Sequence, residues 1–165
     1  MSRRKGRVLA FQALYSYDVG QVPLDELLKF EWENDLESDD KSKTLVSNSQ
    51  ESENKLTENK GLDSSEQETY DFARILISGT INHLEKVDSY IKSHLSEKWT
   101  MERINRVSLA VMRISVFALL YQKDISPSII IDEAISIVRD YGEEDSYKFV
   151  NAILDNINKE ILLEN

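Results

Sequence analysis

Residues 101–122 decide the fold, and they read MERINRVSLAVMRISVFALLYQ. Apolar side chains recur there at helical spacing, and further apolar residues lie on the other faces of the same helix. The stripe consists of Ile104, Val107, Val111, Ile114, Ala118 and Tyr121, and the other faces add Leu109, Met112, Val116, Leu119 and Leu120. Because a helix that is apolar nearly all round is a buried one, we predict that this segment is the central helix of the protein.

Helical spacing also dominates both sides of this stretch, and strand signals are absent, so the predicted class is all-α. A first helix is expected from about Ser2 to Val19, with Gly20 as its C-terminal cap. A short second helix is expected from Pro23, and it carries Leu24, Leu27, Leu28 and Trp32. A long helical pattern begins with a capping box at 65–68 and breaks near Gly79 or Asn82–His83. Two further helices are predicted, one from Pro127 to Gly142 and a last one capped by Asp145 or Ser146.

The first seventeen residues are basic in a protein that is acidic as a whole. The formal net charge is -10, yet residues 1–17 contain four basic residues and no acidic one. At about 100° per residue, Arg3, Arg4 and Arg7 lie on the same arc as the apolar residues of the first helix. We therefore expect the helix to project past the core, or to fray, at its start. An exposed basic tip suits phosphate binding, which the overall acidity otherwise disfavours.

Residues 35–65 differ in composition from the rest of the chain. They are rich in Ser, Asn, Glu, Asp and Lys, and between residues 31 and 69 twelve acidic residues and four lysines give a charge of -8. Such a segment buries too little apolar surface to offset its ordering entropy. We predict a disordered acidic insertion within a single domain that covers residues 1–165. A role as an acidic ligand mimic is an open alternative.

The residues that the chain lacks exclude several classes of protein. Without cysteine, it cannot form disulfides, thiolate zinc sites or a cysteine nucleophile. Its two histidines, His83 and His94, have no metal-binding spacing, and no glycine-rich phosphate loop is present. The longest apolar run, residues 116–121, cannot span a bilayer, and no cleavage site follows the basic start. We expect a soluble cytoplasmic protein that keeps its N-terminus, is not an enzyme, and uses no metal, cofactor or membrane.

Two features at the start of the last helix have competing explanations. Glu143, Glu144 and Asp145 could bind a metal ion, but capping and the helix dipole explain three carboxylates at that position better. Phe149 lies roughly 90° from the centre of the apolar stripe, at the edge of the core. It could stack on an unpaired base while Lys148 contacts a phosphate, or it could pack against a neighbouring helix. The residue pattern alone leaves both readings of Phe149 open.

Four groups of residues occur in a fixed order along the chain. They are Arg3-Arg4 with Gln12-Ala13-Leu14-Tyr15, then Ala110-Val111-Met112-Arg113-Ile114, then Asp132-Glu133-Ala134-Ile135, and finally residues 141–151, YGEEDSYKFVN. In this order they strongly resemble the NusB family of transcription antitermination factors. The resemblance covers the first helix and nearly everything from about Tyr70 onward.

The resemblance implies a fold of about seven helices in two packed small bundles, and a non-catalytic role. NusB proteins pair with the ribosomal protein NusE, and the pair binds the single-stranded boxA element of nascent ribosomal RNA. That complex joins RNA polymerase and other Nus factors to suppress termination in ribosomal RNA operons. We expect the same partners for this chain. Whether it forms a homodimer stays open, because an apolar helix face serves a dimer as well as a core.

The resemblance also assigns residues to two surfaces. The RNA surface would combine residues from the first and last helices, namely Arg3, Arg4, Arg7, Gln12, Tyr15, Ser146, Lys148 and Phe149. The surface for the ribosomal partner would lie on the central helix and its approach, around Glu102, Arg106, Ser108 and Arg113. Asp145 belongs to the same motif as Phe149, and an acidic group beside RNA weakens binding electrostatically. It would therefore tune the affinity.

Two departures from the family pattern bear on function. Some family members carry an acidic residue where this chain has Ser108, so this chain lacks that charge for a contact with the basic ribosomal protein. The family usually has a much shorter connection in place of residues 35–65. The extra length costs little free energy of loop closure. The acidity of the segment could also repel RNA that approaches the protein from the wrong side. The alternative function is a protein-interaction or assembly module in ribosomal RNA maturation, without direct RNA readout.

Overall fold

The computed structural model describes residues 1–40 and 61–165, and it gives no side-chain environment for residues 37–40. Within that part of the chain the regular structure is entirely helical, which confirms the predicted class. Eight α-helices are described, one more than expected: α1 (Arg3–Val19), α2 (Leu24–Leu27), α3 (Glu33–Asp40), α4 (Ser64–Asn82), α5 (Leu84–Ser93), α6 (Arg106–Tyr121), α7 (Pro127–Tyr141) and α8 (Ser146–Glu164). None of these helices is long and apolar enough to cross a membrane.

Helix α6 is the centre of the structure, as its sequence predicts. Every residue from Ser108 to Leu119 is buried. Helices α1 and α4 pack on each other and on α6, whereas α5, α7 and α8 form a second group around the same helix. The two predicted small bundles are therefore present, and they share α6.

The start of α6 differs from the expectation of one helix from residue 101. Met101–Arg103 form a single 3₁₀ turn, and the α-helix begins only at Arg106. The reason is local, because the Asn105 side chain accepts hydrogen bonds from the N–H groups of Val107 and Ser108, at 3.0 and 3.2 Å. An asparagine that satisfies the first free N–H groups in this way starts a new helix.

The described helices reach into both ends of the segment, roughly residues 35–65, that was predicted as the acidic insertion. Helix α3 continues to Asp40, and α4 begins at Ser64. The capping box of α4 lies two residues earlier than predicted, since the N–H of Asp63 donates to the Glu66 carboxylate at 3.4 Å. Residues 41–60, where the rest of the predicted insertion falls, lie outside the described residues.

Several other predicted boundaries are confirmed by the structure. Helix α4 ends at Asn82 and α5 begins at Leu84, and α7 runs from Pro127 with Gly142 as its C-terminal cap. The short second helix is smaller than predicted, because α2 ends at Leu27. Trp32 lies beyond it, and its indole N–H donates to the carbonyl oxygen of Leu27 at 3.0 Å.

Helices α4 and α6 approach each other closely at Gly79. A Cβ atom on Gly79 would lie 2.1 Å from Cζ of Phe117, well inside van der Waals contact. Phe117 is itself buried. The glycine is therefore required by packing, although glycine costs about 1 kcal/mol relative to alanine within a helix.

We expect Gly79→Ala to lower the free energy of unfolding by about 1 to 2 kcal/mol, because overpacking outweighs the gain in helix propensity. Urea denaturation followed by circular dichroism measures this change. Ser78→Ala, one position earlier in α4, is the matched control and should leave stability within about 0.5 kcal/mol. The double variant Gly79→Ala with Phe117→Leu should lose less free energy of unfolding than the sum of the losses in the two single variants. A loss equal to that sum would contradict the proposed clash.

Candidate nucleic-acid interface

The N-terminus is anchored to α4, so the first turn of α1 is neither projecting freely nor frayed. The terminal ammonium of Met1 donates to Oγ of Ser65 at 2.8 Å, and the N–H of Ser2 donates to Oγ1 of Thr69 at 2.9 Å. Oγ of Ser2 in turn accepts the N–H of Lys5 and caps the helix. This anchoring fixes the direction in which the basic tip points.

The three arginines of the tip occupy different environments. Arg3 is exposed, with its guanidinium carbon 5.9 Å from the centroid of the Phe72 ring. Arg4 is half-buried, whereas Arg7 is buried, 5.5 Å from the same ring. The expectation of an exposed tip is therefore wrong for Arg7. Burial lowers the pKa of the Arg7 guanidinium, and the nearby carboxylate of Glu133 opposes that shift.

Carboxylates of α7 neutralise part of this tip. Arg4 donates to Asp140 at 2.6 Å and lies 3.5 Å from Glu133, while Arg7 lies 3.9 Å from the same Glu133 oxygen. That buried oxygen accepts no hydrogen bond within the described structure. No local pattern in the sequence assigns a role to Glu133 or Asp140, because their partners lie more than a hundred residues away in the chain. The basic residues share one helical arc with the apolar residues of α1, and this pattern indicates that the arginines contact the neighbouring helices.

The middle of α1 meets the end of α7. The rings of Phe11 and Tyr141 lie 5.1 Å apart, and Gln12 is half-buried beside them. Gln12, Tyr141 and Lys5 share the lining of a cavity of about 400 Å³. Tyr15, one turn further along α1, is exposed. This side of α1 is therefore accessible, and it lies next to the chain segment that leads into α8.

The start of α8 brings the predicted acidic and basic residues together. Asp145 precedes the helix in a left-handed conformation with φ of 66°, and its carboxylate lies 3.5 Å from Nζ of exposed Lys148. Ser146 is half-buried, and its N–H donates to the carbonyl oxygen of Glu143. Arg139 adds a further cation, 4.2 Å from the centroid of the Tyr147 ring. Within the described residues, no group of three or more His, Asp or Glu side chains is arranged to hold a metal ion.

Phe149 is half-buried and packs against the core, so the packing alternative describes its position in the free protein. Its ring also pairs with Trp99, at 5.7 Å between centroids. Trp99 is 48% exposed and was missed in the sequence analysis. It lies in the connection between α5 and α6, where no helical periodicity draws attention to a side chain.

The residues assigned to a partner surface divide into exposed and buried ones. Glu102 is exposed, and hydrogen bonds from its own backbone and from Thr100 lower the pKa of its carboxyl. Arg106 is half-buried and donates to the carbonyl oxygens of Met101 and Ile104, and it also pairs with Asp18.

Ser108 and Arg113 do not lie on an accessible surface, which corrects their assignment to direct partner contact. Ser108 is 1% exposed. Arg113 donates from two guanidinium nitrogens to the two oxygens of Asp88, each at 2.9 Å, and lies 3.8 Å from Asp18. Because Asp18 lies in the last turn of α1 and Asp88 lies in α5, this arginine joins three helices.

Comparison with known proteins identifies the family to which this arrangement belongs. The model of the NusB family matches residues 4–159, which include Arg4 and Arg7 of α1 and the start of α8. The chain belongs to the NusB family. It is 40% identical over 157 residues to the transcription antitermination protein NusB of Treponema denticola, covering 95% of this chain and 96% of that relative. A Treponema pallidum protein of the same name is 38% identical over 159 residues, covering 96% and 94%.

Solved structures of NusB proteins share the fold. NusB of T. maritima superposes with a TM-score of 0.71 at 31% identity, covering 97% of this chain and 92% of that one. A crystal structure of the antitermination factors NusB and NusE in complex with double-stranded RNA matches with a TM-score of 0.69 at 25% identity, covering 96% of both chains. Family membership and these relatives make this protein a transcription antitermination factor of the NusB type.

Within this NusB-type fold we expect Arg113→Met to lower the free energy of unfolding by about 3 kcal/mol, because it leaves Asp88 without its bidentate partner. Thermal and urea denaturation of the purified protein, without any partner, measure the effect. Glu102→Ala is the control and should change stability by less than about 0.5 kcal/mol, since Glu102 is exposed. An Arg113 variant as stable as the wild type would show that the ion pair is not structural.

Proposed function

We propose that this protein, with the ribosomal protein NusE, binds the single-stranded boxA element of nascent ribosomal RNA in the cytoplasm. In this role it joins RNA polymerase and other Nus factors in a complex that suppresses termination. The observation that carries the proposal is the contact between Arg4 and Asp140. Asp140 lies five residues before Asp145, so the basic tip of α1 stands beside the segment that leads to Lys148 and Phe149. The proposed RNA surface therefore runs from the cations of the tip to the lysine and the aromatic ring at the start of α8.

The proposed RNA contacts follow from the accessibility of each residue. Exposed Arg3 and Lys148 neutralise phosphates, and Tyr15 and Gln12 contact the RNA along α1. Ser146 and the accessible part of Phe149 contact it at α8. Arg7 is too buried for direct contact with phosphate, and it supports the surface from below through Phe72 and Glu133.

Acidic groups beside this surface reduce its affinity for phosphate. Asp140 holds Arg4, and Asp145 lies near Lys148, so an RNA phosphate competes with a carboxylate at both positions. Asp145 therefore acts as the tuning residue that the family motif suggests. Asp140 is a second residue of the same kind, on the opposite side of the α7–α8 connection.

The proposed NusE surface uses the exposed residues before α6. Glu102 is a carboxylate at neutral pH and is free to meet a basic partner, and Arg106 holds the loop in place through the Met101 and Ile104 carbonyls. Arg113 contributes beneath this surface by holding α6 to Asp18 of α1 and Asp88 of α5, and Ser108 is buried near the start of α6. The structure of NusB and NusE with double-stranded RNA, which covers nearly the whole chain, supports this assignment of partners.

We expect Arg3→Ala and Lys148→Ala each to reduce the salt dependence of boxA binding. Loss of one phosphate contact on a single strand lowers the slope of log K against log salt by about 0.7. Fluorescence anisotropy of labelled RNA, titrated with the protein–NusE complex at several salt concentrations, measures the slope. Lys159→Ala, an exposed lysine paired with Asp155 on α8, is the matched control. A slope unchanged in both variants would contradict a phosphate role for these residues.

Asp140→Asn should increase RNA affinity, by about 3- to 10-fold at low salt, because it removes a charge that competes with phosphate for Arg4. The same anisotropy titration measures it. Asp155→Asn removes the same charge from an exposed carboxylate that pairs with a lysine, and it should leave the affinity nearly unchanged. Equal gains in both variants would mean that only net charge matters; a loss of affinity in Asp140→Asn alone would mean that the carboxylate positions Arg4.

Binding assays with and without NusE separate this proposal from an assembly module that does not read RNA. If the protein–NusE complex binds boxA RNA more tightly than NusE alone, and the variants above change that affinity, the proposal holds. If the protein binds NusE and the complex binds boxA RNA no more tightly than NusE alone, the assembly role is correct.

A further inference from the structure

Trp99 is an exposed aromatic side chain beside the surface proposed for RNA. Its side chain is 48% exposed, so the ring is accessible to a ligand. Its ring lies 5.7 Å from that of Phe149, with 36° between the ring planes. Trp99 therefore extends the aromatic surface of Phe149 outward from the core.

The loop that carries Trp99 is held in one conformation by hydrogen bonds. The N–H of Trp99 donates to the carbonyl oxygen of Ser96 at 2.9 Å, and the Arg103 guanidinium donates to the carbonyl oxygen of Lys98 at 2.9 Å. Met101, two residues after the tryptophan, is buried and anchors the loop to the core. A ring on such a loop is already positioned, so little conformational entropy is lost when it binds a ligand.

The surroundings of the pair are suited to a single-stranded nucleic acid. Lys98 precedes Trp99 in the chain, Lys148 precedes Phe149, and both lysines are exposed. Aromatic rings next to cations bind unpaired bases by stacking while the cations meet the phosphates. The indole N–H of Trp99 makes no hydrogen bond to any described residue, so it is free to donate to a base or a ribose.

We propose that Trp99 stacks on an unpaired base of the bound RNA, with Phe149 behind it as the support of the indole ring. This inference rests on the proposed function and deepens it, because it names the aromatic side chain that the base meets first. Phe149 then contributes both by packing and through its accessible edge. The two readings of Phe149 that the sequence left open are compatible in this arrangement.

Intrinsic fluorescence tests the contact directly, because the chain has only two tryptophans, Trp32 and Trp99. In a Trp32→Phe variant the emission comes from Trp99 alone. Titration of its complex with NusE by single-stranded boxA RNA should quench that emission, along the same isotherm as anisotropy of the labelled RNA. The emission of NusE and its quenching are subtracted with a variant that also carries Trp99→Phe. A fully paired duplex of the same sequence should give no quenching beyond that background, because its bases are stacked on each other.

Affinity measurements test the energetic part of the proposal. Trp99→Leu keeps an apolar side chain but removes the ring, and we expect it to weaken binding of single-stranded RNA by about 5-fold or more. Trp99→Phe should retain most of the affinity. Tyr121→Ala removes another exposed aromatic ring that packs on a neighbouring ring, and it is the matched control.

The outcomes distinguish this inference from the proposed function. RNA binding without quenching, or a Trp99→Leu variant that is folded and binds as tightly as the wild type, overturns the stacking role and leaves the proposed function intact. Failure of the wild-type protein to add to the RNA affinity of NusE overturns the proposed function, and the stacking role with it.

Discussion

The burial of α6 is the constraint on which the rest of the structure depends. A helix with twelve consecutive buried residues has no face for solvent, so α1, α4, α5, α7 and α8 must all pack against it. The polar groups on it need partners inside the protein. The Ser115 hydroxyl donates to the carbonyl oxygen of Val111, and Arg113 finds Asp88 and Asp18. The ion pair therefore fixes where the end of α1 and the start of α5 meet the central helix.

The position of the basic tip is a consequence of this packing. With its end held at Arg113 and its body between α4 and α6, α1 must direct Arg3 and Arg7 toward Phe72 of α4, and Arg4 toward α7. Gly6 permits this approach, because a Cβ there would lie 2.6 Å from the Phe72 ring. The protein thus presents cations on an acidic body while keeping two of the three arginines of the tip, Arg4 and Arg7, paired with carboxylates.

Much of the fold could be predicted from the sequence because its signals are local. Periodicity gave the central helix, and Pro127, Gly20 and Gly142 marked boundaries that depend only on nearby backbone groups. The start of α4 was misplaced because both Asp63 and Ser65 stand three residues before a glutamate. The Ser65 hydroxyl oxygen instead accepts a hydrogen bond from the ammonium of Met1, 64 residues away, and no local pattern reveals that bond.

The site was harder to predict than the fold, since its residues owe their roles to distant partners. Arg113 is an arginine inside an apolar stretch, and only the structure brings Asp88 and Asp18 to it, so its place in a family motif suggested an interface instead. Trp99 lies between helices, where periodicity gives no information about burial. Conversely, the exposure of Arg3 and Lys148 could be predicted, because their charges favour solvent.

Partly neutralised arginines have a consequence for the choice of RNA. When a phosphate replaces the carboxylate that already holds Arg4, one charged hydrogen bond is exchanged for another, and the net gain is small. Electrostatic attraction by itself then gives weak binding, and the overall charge of -10 weakens it further. On the proposed function, the remaining free energy would come from contacts that unpaired bases offer, such as the proposed stacking on Trp99 and Phe149. Such a surface would then favour RNA with unpaired bases over polyanions that supply only phosphates.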